Sequence, residues 1–394
     1  MNNREKTNIA DLLTILGLLA VTVGLVLFPQ QCISAGKEGI SLCLNALVPS
    51  LFPFFVVSSL IIEMGIADTL GRLTRPLMRR VFNIGGACSS AMILGFVGGY
   101  PVGAKTAISL YRARKCSRIE AERMLSFCNN SGPAFILGVV GAGVFMDSRV
   151  GLLLYLSHIL ASVAVGLIFR KWGGVSVMRS ASEETAFRPV TNKADILIKS
   201  IVNSFSATFN ICGFVIFFSV FIKLLFLSGI IPAIAQAAAF LLRPLGVSDN
   251  TAEQFIIGVI ELTSGVWSLK DAAAGLSRSA AMAAFMLGWA GLSVHFQVLS
   301  FLRDTGLTAK SYILGKLLHA VISAVIAIMV FKIFYPDALV AFALAAQIDS
   351  IADLDFRRTA LISFCCAAAV LALPAALYAA GHANSSRKKN TNDI

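Results

Sequence analysis

The sequence predicts an all-α, polytopic membrane protein built from two repeats, each with a re-entrant helical hairpin and a broken helix. Three observations support this fold class. Of the 394 residues, 57% are hydrophobic and only 14% are charged, whereas about a quarter of the residues in a soluble protein are charged. Similar motifs occur in both halves of the chain. Glycine and proline occur inside apolar stretches, although both residues are unfavourable in a continuous membrane-spanning helix.

Long apolar segments account for the predicted membrane spans. Five of them lack Lys, Arg, Asp and Glu over a length close to the roughly 20 residues that a spanning helix needs; they cover residues 12–28, 150–169, 200–222, 317–331 and 361–380. No small-residue cleavage site follows the first segment, so we expect a retained helix rather than a cleaved signal peptide. Basic residues cluster in short stretches beside the spans. This is the pattern of cytoplasmic loops, and it argues against nucleic-acid binding.

The predicted domain organisation has five parts. We expect an N-terminal transmembrane helix in residues 1–34, a first repeat in 35–170, a polar linker in 171–193, a second repeat in 194–335, and a C-terminal transmembrane helix with a basic tail in 336–394. The repeats rest on five short motifs that recur in the same order about 165 residues later. For example, Gly258-Val259-Ile260 follows Gly95-Phe96-Val97, and His319 follows His158. Transporters commonly bind substrate between such repeats, which we expect to be inverted.

Residues 84–111 are predicted to form the first hairpin. Basic clusters flank this apolar segment on both sides, so the positive-inside rule places both of its ends on one membrane face. Three glycines and a proline lie near its middle, where a backbone turn is easiest. The alternative is a single span kinked at Pro101. The candidate binding residues of this hairpin are Gly98, Gly99, Tyr100, Pro101 and Lys105.

The segment Asn129-Asn130-Ser131-Gly132-Pro133 opens the next apolar run. Pro is favoured in the first turn of a helix, and Asn or Ser just before it. We therefore predict a half-helix that begins inside the membrane, with an N-terminus that favours anions. Asn129, Asn130 and Ser131 become candidate substrate-binding residues. The alternative is that they cap an interfacial helix.

The second repeat contains an acidic residue, Glu261, in its predicted hairpin, together with Thr263 and Ser264. A Glu at the centre of a spanning helix costs about 3 kcal/mol, so it should face a cavity or a partner. We expect Lys105, Lys270 or a coupling cation, H⁺ or Na⁺, as that partner. The alternative is a Glu that meets water at the membrane interface.

The following half-helix of the second repeat carries Ser293 and His295. The imidazole of His295 is either a proton carrier or a hydrogen-bonded packing residue. No His-x-x-x-His spacing and no His-Glu pair occurs in the sequence, so no nucleophile or metal site is indicated. We expect no catalytic residue, no metal and no cofactor beyond a coupling ion, which favours a transporter over an enzyme.

Three segments carry a family resemblance: SLFPFFVVSSLIIEMG, GFVGGYPVGAK and EAERMLSFCNNSGPAFILGVVG. They closely resemble the YlbJ-type sporulation integral membrane proteins, which carry two nucleoside-recognition (Gate) domains. The resemblance implies a fold similar to that of concentrative nucleoside transporters. It also implies a role in spore formation, with movement of dipicolinate from the mother cell across the outer forespore membrane.

The resemblance extends to residues 98–105 and 129–133, which match the family pattern. Glu261, Thr263, Ser264 and Ser293 are assigned only by analogy with the second hairpin and following helix of the nucleoside transporters. Dipicolinate is a planar dianion, and helix N-termini, amides and Lys105 suit an anion better than a neutral nucleoside. Nucleoside transport and a non-transporting scaffold remain the alternatives. The expected partners are a small anionic solute, membrane lipids and, as one option, a second copy of the chain.

Overall fold

The computed structural model describes residues 3–335 except for 65–73, 75, 77, 175–192, 244–246 and 272–274. Within these described residues the chain forms helices and turns and no strand. The predicted all-α class is therefore confirmed. The larger part of the predicted linker and the whole predicted C-terminal part, residues 336–394, lie outside the described residues.

The helices are short in the middle of each half and long at the edges. They are α1 Asn3–Leu27, α2 Pro29–Leu42, α3 Val48–Glu63, α4 Ser89–Gly98, α5 Val102–Arg112, α6 Arg118–Phe127, α7 Ser148–Phe169, α8 Lys193–Leu227, α9 Ile230–Leu242, α10 Asp249–Ile260, α11 Leu262–Trp267, α12 Leu276–Trp289, α13 Gly291–Leu302 and α14 Lys310–Phe334. A π-helix, Ala134–Val144, lies between α6 and α7, and a second, Cys43–Leu47, joins α2 to α3.

Five helical segments of the described chain are long and apolar enough to cross a membrane. They are Pro29–Val57, Ser148–Phe169, Ala194–Leu227, Leu276–Leu302 and Lys310–Phe334. Three contain the predicted segments 150–169, 200–222 and 317–331. The span at Pro29–Val57 was not predicted from the sequence, because Lys37, Glu38 and two prolines interrupt it. The predicted segment 361–380 lies outside the described residues.

The first hairpin consists of α4 and α5, which pack against each other. Its two ends meet at Glu120, whose carboxylate accepts hydrogen bonds from the backbone N–H of Gly85 (2.6 Å) and of Ser117 (2.8 Å). Ser117 in turn accepts from the Glu120 N–H, which completes a capping box at the start of α6. The chain thus enters and leaves the hairpin at one end of the molecule, as the prediction requires.

The re-entrant placement of this hairpin in the membrane is a prediction that labelling can test. In a cysteine-free background, single cysteines that replace the exposed Arg79 and Arg114 should react with an impermeant maleimide from the same side. The control is Arg149, which lies at the start of the 22-residue helix α7. The end of this helix is near Arg80, so a cysteine at position 149 should label from the opposite side. If the Arg79 and Arg114 positions label from opposite sides, the segment crosses the membrane and the hairpin is wrong.

The second half contains a matching hairpin and a matching broken helix. Helices α10 and α11 pack together around Gly258 and Gly265, and α12 and α13 are separated by a break at Ala290. In the first half, Gly95 and Gly103 make the corresponding close approach between α4 and α5. Gly258 and Gly265 follow Gly95 and Gly103 at about the sequence offset expected for the two repeats. The inverted relation of the repeats stays a prediction.

Helix α14 holds the halves together, because it packs against α12 of its own half and against α6 and α7 of the other. At one end of this contact, Glu122 of α6 accepts hydrogen bonds from the backbone N–H and the hydroxyl of Thr308, both at 3.1 Å. Burial raises the pKa of Glu122, but hydrogen bonds from Thr308, Arg118 and Trp172 outweigh this effect, and its pKa is lower than usual. A charged Glu122 therefore ties the two halves at this end.

Candidate functional site

A cavity of about 580 Å³, which includes some open space, lies where both hairpin tips and both broken helices converge. The polar residues of its lining are Tyr100, Ser131, Glu261, Thr263, Ser293 and Gln297. The rest is apolar and comes largely from α3, α8 and the π-helix; it includes Leu51, Phe55, Phe135, Ile211, Phe214 and Val215. A small ligand in this cavity would meet a mainly apolar lining with a few hydrogen-bonding residues.

The tip of the first hairpin reaches the cavity through Gly99 and Tyr100. Gly99 has φ +70°, and a Cβ there would lie 3.0 Å from the backbone N of Gly132, so both the conformation and the space require glycine. The Tyr100 hydroxyl donates to the carbonyl of Leu287 at 2.7 Å, which links this tip to the second half. Gly98 and Pro101 belong to the turn, but neither lines the cavity.

The break between α6 and the π-helix supplies Ser131 to the cavity wall, while its two asparagines are buried behind it. The Asn129 side chain accepts from the N–H of Ala104 (3.4 Å), and that of Asn130 donates to the carbonyl of Phe127 (2.9 Å). The backbone N–H of Ser131 donates to Nε2 of His158. The asparagines thus hold the break in shape, and only Ser131 of the three candidates contacts the cavity.

Glu261 forms the tip of the second hairpin and lines the cavity, one of the two environments expected for an acid in an apolar segment. Its carboxylate accepts hydrogen bonds from the backbone N–H of Thr263 (2.9 Å) and of Ser264 (2.6 Å), so it caps the N-terminus of α11. Thr263 also lines the cavity, whereas Ser264 does not.

The predicted lysine partners of Glu261 are absent from this cap. Lys270 lies over the ring of Trp267, 5.2 Å from its centroid. Lys105 is exposed on α5, because Ala104, Ala107 and Ile108 form the buried face of that helix. The assignment of Lys105 as a substrate-binding residue is therefore corrected: it does not line the cavity.

The break between α12 and α13 lies against the Glu261 tip. Gly291 has φ +75°, and a Cβ on it would lie 2.8 Å from the backbone N of Leu262. Ser293 and Gln297 of α13 line the cavity, whereas His295 does not. Nδ1 of His295 is 2.9 Å from the Tyr312 hydroxyl, and its ring packs edge-on against Trp289. This geometry favours the packing interpretation of His295.

One residue beside the cavity was not anticipated from the sequence. Lys316 of α14 is only 1% exposed, and its ammonium group donates hydrogen bonds to the Tyr100 hydroxyl (2.7 Å) and the Asn129 carbonyl (3.1 Å). It thereby joins the second half to both the first tip and the first break. The signal in the sequence was a lysine near the start of an otherwise apolar span, a pattern that equally suits a side chain reaching the interface.

Sequence comparison assigns the family. A model described as nucleoside recognition, the Gate family, matches residues 45–169. The sporulation integral membrane protein YlbJ of Bacillus subtilis (strain 168) is 30% identical over 333 residues, which cover 80% of this chain and 82% of YlbJ. The chain belongs to the YlbJ family. It is therefore a multi-span integral membrane protein of sporulation, and the Gate match contains the first hairpin and the first break of this YlbJ-family member.

Solved structures similar to this YlbJ-family chain include the concentrative nucleoside transporter CNTnw. A doubly substituted CNTnw in an outward-facing state has a TM-score of 0.49 and 16% identity, and the match covers 84% of this chain and 87% of the CNTnw chain. CNTnw in an inward-facing substrate-bound state has a TM-score of 0.46 and 15% identity, with coverage of 81% and 86%.

Proposed function

We propose that this chain is a transporter, not an enzyme, and that it moves dipicolinate across the outer forespore membrane. The observation that carries the proposal is the cavity at the meeting point of two hairpin tips and two broken helices. Interrupted helices expose backbone groups that a continuous helix would satisfy internally, which is why transporters place them around substrates. A scaffold needs no such cavity.

The composition of the cavity wall suits a planar aromatic acid. Phe55, Phe135 and Phe214 offer apolar surface to a pyridine ring. Ser131 and Ser293 also line the cavity, and they lie at the starts of the π-helix and of α13, where helix dipoles favour negative charge. An aromatic dicarboxylate would find apolar contacts for its ring among the phenylalanines and hydrogen-bond donors for its oxygens at the helix starts.

Nucleoside transport is the second candidate, and one observation favours it. The carboxylate of Glu261 lies at the cavity wall together with Thr263 and Gln297, and such groups can bind the hydroxyls of a ribose. An acid in the wall is also less suited to a dianion than to a neutral ligand. The Gate family description points to the same class of ligand.

Uptake into proteoliposomes separates these candidates. Purified protein should accumulate labelled dipicolinate above protein-free liposomes, and unlabelled dipicolinate should compete while uridine and adenosine should not. Competition by nucleosides would transfer the assignment to nucleoside transport. Uptake of neither ligand would favour the scaffold. Repeating the assay with Na⁺ replaced by K⁺, and with an imposed pH gradient, identifies the coupling ion.

A further inference from the structure

Lys316 is a lysine buried beside the cavity. Its helix, α14, packs against elements of both halves, and its ammonium group lies 4.8 Å from the centroid of the Tyr100 ring. Tyr100 itself lines the cavity. The side chain of Tyr100 therefore contacts the Lys316 amine, and the same residue lines the space available to a ligand.

Within the described part of the chain, Lys316 forms no ion pair with a carboxylate. The titratable groups with which it interacts are the thiol of Cys128, the hydroxyl of Tyr100 and the imidazoles of His158, His295 and His319. None of these groups is ordinarily negative at neutral pH. Glu261 is engaged instead with the N-terminus of α11.

A buried charge without a counter-ion is unfavourable, because the interior solvates it poorly. The hydroxyl and the carbonyl that bind Lys316 supply dipoles but no neutralising charge. An anion in the adjacent cavity would supply it. Because the interior screens charges less than water does, the attraction acts without direct contact.

We propose that the transported anion is the counter-ion of Lys316, and that Lys316 rather than Lys105 makes the site selective for anions. This inference rests on the proposed function of the cavity as a transport site. It assigns charge selectivity to a residue behind the wall, while the residues of the wall supply shape and hydrogen bonds. It also counters the repulsion that Glu261 would exert on a dicarboxylate.

The test compares two ligands of the same shape, dipicolinate and the neutral pyridine-2,6-dicarboxamide. Calorimetric titration of the parent, Lys316→Met and Lys105→Met in detergent gives the affinities. For unit charges roughly 8 Å apart at an effective dielectric constant of about 20, Coulomb attraction corresponds to about a 30-fold change in affinity. Lys316→Met should therefore weaken dipicolinate binding by about 30-fold and leave the diamide within about threefold. The matched control, Lys105→Met, should change neither.

A second variant separates charge from hydrogen bonding. Lys316→Gln keeps a donor for the Tyr100 hydroxyl or the Asn129 carbonyl and removes the charge, so it should reproduce the selective loss of dipicolinate binding and serves if Lys316→Met does not fold. Equal losses for both ligands in either variant would make Lys316 a structural support of Tyr100. Unchanged dipicolinate binding in Lys316→Gln would overturn the inference and leave the proposed function standing. A parent protein that binds nucleosides but not dipicolinate would overturn both.

Discussion

Replacing Gly103 with alanine is expected to destabilise the protein severely. A Cβ on Gly103 would overlap the backbone carbonyl of Cys128 and would lie 2.9 Å from the Cα of Gly95. These neighbours are backbone atoms in two other elements, so no side chain can rotate away to make space. Overpacking of this kind costs about 3 kcal/mol or more. The variant should melt several degrees below the parent in detergent or fail to yield a monodisperse protein.

The matched control is the same substitution at Gly213, an exposed position within α8 where a Cβ would have no neighbour within 4 Å. Alanine in a helix interior is more stable than glycine by roughly 0.5 to 1 kcal/mol, so Gly213→Ala should melt at or slightly above the parent temperature. If Gly103→Ala melts like Gly213→Ala, the close packing of the hairpin on the Cys128 break is wrong. The position of Tyr100 at the cavity would then lose its support.

Replacing Glu261 with glutamine should leave a folded, membrane-inserted protein whose transport is lost or whose pH dependence has changed. The backbone N–H groups of Thr263 and Ser264 donate to different oxygens of Glu261, and in glutamine one of these oxygens is replaced by an NH₂ group that cannot accept. The loss of one charge-assisted hydrogen bond costs about 1.5 to 3 kcal/mol. This corresponds to about a tenfold or greater fall in the population of the correctly shaped tip. Initial uptake rates in proteoliposomes, measured from mildly acidic to mildly alkaline pH, test this expectation.

Glu253→Gln is the control for this experiment, because Glu253 lies on α10 of the same hairpin and does not line the cavity. It should transport like the parent at every pH. If Glu261→Gln does the same, the cap at the second tip is dispensable, and Glu261 neither couples an ion to transport nor shapes the site.

The sequence was sufficient to predict features that depend on neighbouring residues. The apolar segments predicted an all-α membrane protein, and glycine and proline at residues 98–103 predicted the first turn. The acid Glu261 was expected to face a cavity or a partner, because a carboxylate inside an apolar segment has few other stable environments. Its partners, however, are the backbone N–H groups of the residues that follow it. The sequence pattern had pointed to distant lysines or a cation instead.

Contacts between distant parts of the chain decide that Lys316, and not Lys105, is buried beside the cavity. Lys105 follows the first tip directly, yet the helical period places it on the face of α5 opposite the buried Ala104 and Ala107. Lys316 lies more than 200 residues from Tyr100 along the chain and reaches its hydroxyl because α14 packs between the two halves. Burial of a long charged side chain is set by what surrounds its helix, and the sequence of α14 does not specify those neighbours.

The apolar wall of the cavity was likewise decided by tertiary structure. Phe55 and Phe214 come from α3 and α8, and nothing in their local sequence distinguishes them from the many other phenylalanines in apolar spans. By itself the sequence determined the class of protein, the turn at residues 98–103 and the presence of an acid in the second hairpin, because periodicity, charge and backbone preference are local properties. Only the tertiary structure decided which side chains share the cavity, because that depends on how helices far apart in sequence pack together.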